Sequence, residues 1–222
     1  MNQQSGPQQD LVLSYLALRK AVGTIGVALP FVLASGNCLI FQNQGLQPSI
    51  SCYYYTGMHN VFVGSMCAIG IFLMSTKGYD WWDQFAGILA SIFAIGVALF
   101  PTTSTPCGST APPHKIIGDL HLTFAALLFL TLAAFSLLLF TKTNKDPDKT
   151  PTPQKLKRNF VYRVSGWTIL ASIVLMAIVE RTPIGARADS LNPVFWLESL
   201  AIVAFGISWL TKGETILKDK QP

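Results

Sequence analysis

The sequence predicts an all-α fold, a polytopic transmembrane helical bundle of six spans with both termini cytoplasmic. Three observations carry this. Apolar stretches at 21–41, 57–75, 81–100, 116–140, 160–179 and 194–211 each approach or exceed the roughly 20 residues that cross a bilayer as a helix. The composition is 50% hydrophobic and 12% charged, with a mean hydropathy of +0.43, whereas a soluble domain carries about 25% charged residues. Finally, Lys and Arg are retained on the cytoplasmic side of short loops. With the N-terminus inside they divide 13 to 3: only Lys115, Arg181 and Arg187 fall outside.

The elements follow in order. Residues 1–20 are read as a cytoplasmic segment: ten polar residues, then a short apolar run (11–18) ended by Arg19 and Lys20. A cleavable signal peptide places its charge before its apolar core, so this run is read as an interfacial lead-in. Residues 21–211 form the six-span domain and 212–222 a cytoplasmic tail. Pro30 falls within the first span and removes a backbone donor there. Trp81, Trp82 and Trp209 fall at inner boundaries and Trp196 at an outer one, the depth that indole rings prefer. The longest loop, 141–159, is rich in Lys, Asp, Thr and Pro, a composition suited to a connector. The net charge of +5 is the positive-inside signal, concentrated at 142–163; an anionic-lipid patch is a second reading of that segment. No nucleic-acid partner is expected. No Gly-rich phosphate loop or nucleophile elbow appears.

Of the four cysteines, Cys67 lies mid-helix and reads as a packing residue. Cys52 and Cys107 both fall in outer loops, where an oxidising compartment permits a disulfide. Cys38, near the outer end of the first span, competes for Cys52. No CxxC pair occurs, so neither a zinc ribbon nor a redox motif is indicated.

Ionisable residues inside spans are costly and mark functional candidates. Asp119 and His121 open the fourth span, Glu198 lies in the sixth, and His59 and Asn60 open the second. At about 1.5 Å per residue, all lie near the outer boundary, and Glu180 ends the fifth span at the same face. Three readings are open: a metal site, a polar pocket for a lipid headgroup or small ligand, or structural hydrogen bonding between helices. Asp119 and His121 are two apart and do not share a helix face, and no HxxxH or HExxH occurs. Tyr53, Tyr54 and Tyr55, just before the second span, read as an interfacial aromatic belt or as a roof over a pocket.

The stretches SISCYYYTGMHNVFVGSMCAIG, DQFAGILASIFAIGVALFPT, HKIIGDLHLTFAALLFLTLAAFS and FWLESLAIVAFGISWL resemble uncharacterised six-helix bacterial membrane proteins. More distantly, they resemble the eukaryotic six-helix family of damage-regulated autophagy modulators and GPI-anchor lipid remodelling factors. The resemblance covers about residues 49–210. It rests on the His-bearing start of the fourth span (His114, His121) and the acidic residue beside a Trp in the sixth (Trp196, Glu198), and it implies architecture rather than chemistry. The seven-helix alkaline ceramidase and adiponectin-receptor superfamily is a rival, but this chain has three His in all and none in the last two spans.

The resulting expectation is an integral protein of a bacterial cytoplasmic membrane, with membrane lipids as partners. It binds a lipid or small ligand through His59, Asn60, Asp119, His121 and Glu198 as a sensor or accessory component without catalysis of its own or a cofactor. The alternative is a metal-dependent lipid hydrolase acting near the outer leaflet.

Overall fold

A computed structural model describes residues 7–42, 45–75, 81–112, 114–142, 152–183 and 188–217. Among these residues there are six long helices and no strand: α1 (Pro7–Leu39), α2 (His59–Met74), α3 (Trp81–Leu99), α4 (Lys115–Ala134), α5 (Pro153–Arg181) and α6 (Pro193–Lys212). Five are long and apolar enough to cross a membrane; α2, with 16 residues, is shorter. It begins at His59, as the sequence indicates, and a separate 3-10 turn at Ser51–Tyr55 precedes it. Helix α1 runs unbroken through Arg19, Lys20 and Pro30, so the lead-in continues into the first apolar stretch.

Each helix packs against its neighbours in sequence, and α6 closes the ring against α1. Successive helices joined by short connections run antiparallel. One end of the ring therefore carries the α1–α2, α3–α4 and α5–α6 connections. The other carries Arg19, the α4–α5 connection and the end of α6. Helix α5 starts on Thr152, whose hydroxyl accepts from the Lys155 amide, with Pro153 at its first position. This arrangement satisfies one orphan N–H and omits another.

Ring closure depends on two glycines. A Cβ built on Gly206 would lie 2.7 Å from the Gly23 carbonyl oxygen, and one on Gly23 would lie 2.8 Å from that of Gly206. The α1 and α6 backbones thus touch, as small residues allow between apolar helices. On the far side, α4 widens into a π-helical turn at Phe135–Leu139. There the buried Ser136 hydroxyl meets that of Ser208 on α6 at 3.0 Å, carrying a polar contact across the ring.

The lateral surface is apolar: Phe31, Ile116 and Trp167 are 63%, 78% and 65% exposed. Trp81, Trp82 and Trp196 are exposed as well. Trp209 is not a boundary residue. It is 1% exposed, inside an aromatic cluster with Phe135, Phe140 and Phe205, because its helix face turns toward the ring interior.

Candidate functional site

The α1–α2 connection folds across one end of the ring and is fastened to three elements. To α6, the Phe195 amide donates to the Pro48 carbonyl at 3.0 Å, and the Ile50 amide donates to Glu198 Oε2 at 2.5 Å. To the α3–α4 connection, Cys52 is joined to Cys107 in a disulfide, with Cα atoms 5.2 Å apart. The Tyr55 hydroxyl also donates there, to the Thr102 carbonyl at 2.5 Å. Burial raises the Tyr55 phenol above its ordinary pKa, which keeps it a donor. To α4, Ser51 meets His121. Cys38 is a free, exposed thiol.

His121 is 3% exposed, and both ring nitrogens are engaged: Nδ1 lies 2.6 Å from the Phe100 carbonyl oxygen and Nε2 lies 2.9 Å from Ser51 Oγ. A carbonyl can only accept. In the neutral ring, Nδ1 therefore carries the proton, and the Ser51 hydroxyl donates to Nε2. Glu198 accepts from the amide of Ile50, the residue before Ser51, and both Ser51 and Glu198 line the same cavity. His121 and Glu198 are thus tied to adjacent residues of the crossing loop, His121 to Ser51 and Glu198 to Ile50.

Beneath this network lies a cavity of about 40 Å³, room for roughly two or three waters. Its wall is apolar, with Phe62, Met66, Val97, Leu128 and Phe205 among its residues, and among the described residues its polar lining comes from Ser51 and Glu198. From Glu198 to Phe205 it follows α6 for seven residues, about 10 Å.

The other expected site residues lie elsewhere. His59 Nδ1 is 2.7 Å from the Tyr54 carbonyl oxygen, and its ring packs edge-on against the Tyr54 ring at 4.3 Å; it secures the 3-10 turn and does not line the cavity. Asn60 and Asp119 are exposed and do not line it either. Tyr53 is fully buried against Phe195, so the three tyrosines are neither a uniform belt nor a roof. Among the described residues, no three His, Cys, Asp or Glu side chains are placed to hold a metal ion. Ser51 and the Ile50 amide went unrecognised in the sequence. Their only local signal is adjacency to Cys52, which says nothing about where they point.

No protein-family model, curated protein or solved structure matches the chain.

Proposed function

We propose that the protein is a multi-pass component of a bacterial cytoplasmic membrane that binds an amphiphile, a lipid or small ligand, at the disulfide-linked end of its ring. In this reading it acts as a sensor or accessory component, and both termini are cytoplasmic. One observation carries the binding role: an apolar cavity whose polar lining among the described residues, Ser51 and Glu198, sits at one end. A mostly apolar pocket with a few placed polar groups is the usual form of a small-molecule site. The cavity as it stands, about 40 Å³, holds only a few water-sized groups, so the apolar chain of a ligand would have to part Phe62, Met66 and Leu128 to enter, with its polar end at Ser51 and Glu198.

The binding test uses cis-parinaric acid, a fluorescent fatty acid, with the purified protein. Saturable fluorescence enhancement is expected. Ala125→Leu, which fills the cavity from α4, should abolish it while the thermal midpoint shows the fold intact. No saturable enhancement with wild type, or unchanged binding by the variant, would count against the cavity. A second reading, lipid-ester hydrolysis, is favoured by the Ser51–His121 contact, which is that of a serine with its base. Against it, Glu198 already occupies the Ile50 amide beside Ser51, a donor that a developing oxyanion would need. Covalent labelling of Ser51 by a fluorophosphonate would favour hydrolysis; none is expected.

The orientation rests on the 13-to-3 division of Lys and Arg. A single reactive cysteine at Asp148, which lies outside the described residues, should resist an impermeant thiol reagent in intact cells and react after lysis. Labelling in intact cells would reverse the assigned sides.

A further inference from the structure

The polar end of the cavity is biased in its hydrogen bonding, and the bias follows from where the protons sit. The Phe100 carbonyl fixes the proton of neutral His121 on Nδ1, so Nε2 accepts and takes the single hydroxyl proton of Ser51. Ser51 then has only oxygen lone pairs left to offer the cavity. Glu198 is set in a similar way. Its Oε2 accepts from the Ile50 amide at 2.5 Å, and an ionised carboxyl is an acceptor alone. The two polar side chains that line the cavity among the described residues therefore both call for a donor.

Charge narrows the donor further. The rest of the wall near Glu198 is apolar, Phe62, Met66 and Leu128 included. A carboxylate in such surroundings is costly unless a cation and hydrogen bonds accompany it. Among the described residues no Lys or Arg pairs with Glu198; the ion pairs there lie at the other end of the ring, Asp83 with Lys142 and Glu214 with Arg158. A hydroxyl head would supply a donor and leave the charge as it is. A protonated amine supplies three N–H donors and one positive charge. The match also survives proton transfer: with the proton on the carboxyl, the neutral amine accepts from it and still donates to Ser51. Either way the pair carries no net charge. An ammonium group is on the order of a water molecule in size, and the cavity of about 40 Å³ holds roughly two or three waters. The head therefore fits as the cavity stands, and only the chain must part the wall.

We infer that the cavity selects a single-chain amphiphile with a primary amine head, which donates to Ser51 Oγ and Glu198 while its chain runs toward Phe205. This selection rests on the amphiphile-binding reading above and adds the head group to it. Carboxylate and ester heads, which only accept, are selected against. cis-Parinaric acid enters with its carboxyl protonated, since a second carboxylate beside Glu198 would be repelled.

The test sets dodecylamine, dodecanol and methyl laurate against cis-parinaric acid on purified protein in neutral detergent at neutral pH. Native mass spectrometry reads each bound amphiphile directly. Dodecylamine should displace the fluorescent acid at about tenfold lower concentration than dodecanol, the margin of a charge-assisted over a neutral hydrogen bond, with methyl laurate weakest. Glu198→Gln should erase the margin, because the amide carries no charge. Asp119→Asn, which removes an exposed carboxylate at the same end of the ring, should keep it. Equal displacement by amine and alcohol, or a margin that survives Glu198→Gln or vanishes with Asp119→Asn, would overturn the amine head; saturable binding of the fluorescent acid would then leave the cavity reading standing. Absence of bound dodecylamine would overturn the amine head as well, and the cavity reading falls with it only when the fluorescent acid also fails to bind. The wild-type comparison of amine with alcohol needs no variant, so it decides the matter even where Glu198→Gln does not fold.

Discussion

Replacing Cys52 and Cys107 together with serine is expected to cost up to about 4 kcal/mol of stability, the loop-closure entropy of a cross-link of this span. The bridge joins residues 55 apart in sequence, closing a loop that contains α2 and α3. It also anchors the residue after Ser51, so its loss should loosen the contact with His121 and weaken cis-parinaric acid binding. The double variant is the informative one, because a single serine leaves a thiol free to pair with the exposed Cys38. The measurements are thermal midpoints with and without reductant, and alkylation of unreduced protein read by mass spectrometry. Two alkylated cysteines, Cys38 and Cys67, are expected. Four would show that the bridge is absent, and an unchanged midpoint in the double variant would show that it contributes nothing.

What the sequence made legible was periodicity and length. Runs of about 20 apolar residues announce helices because a bilayer-spanning backbone must satisfy its own hydrogen bonds. Helix ends were less legible: the 3-10 turn at 51–55 ahead of α2 and the π turn that ends α4 are not signalled by composition. The ring closure between Gly23 and Gly206 was hidden because no local spacing relates residues so far apart. Within the site, helix geometry had already separated Asp119 from His121: two residues apart, they cannot both face inward. The structure turns His121 inward and leaves Asp119 exposed. The same argument separates His59 from the exposed Asn60. Ser51 was illegible because its role depends on a loop that crosses the end of the ring. Trp209 was misplaced because an indole near a helix end reads as interfacial until its face is known.

The network of His121, Ser51 and Glu198 yields the second large effect. Glu198→Gln should be mild, costing less than about 1 kcal/mol, because the amide oxygen can still accept from the Ile50 N–H. Glu198→Leu removes that acceptor and leaves a part-buried donor unpaired, at about 1–3 kcal/mol. His121→Leu strands two partners, the Phe100 carbonyl and the Ser51 hydroxyl. Its cost should match or exceed that of Glu198→Leu, with the same range applying to each orphaned group. Because the two side chains hold adjacent residues of one loop, Ser51 and Ile50, the double variant should depart from the sum of the singles by at least about 0.5 kcal/mol; independent sites add to within about that value. Equilibrium unfolding of wild type, the two leucine variants and their combination measures the cycle, with Glu198→Gln as the control. Additivity would dissolve the shared site into two unrelated packing contacts. A cost for Glu198→Gln equal to that of Glu198→Leu would show that the carboxyl's charge matters rather than its acceptor oxygen. With coupling present, the cis-parinaric acid titration then separates the two roles. Loss of binding in Glu198→Gln at an unchanged midpoint would assign the carboxyl to the ligand, whereas full binding would leave it as the tie that holds the crossing loop to α6.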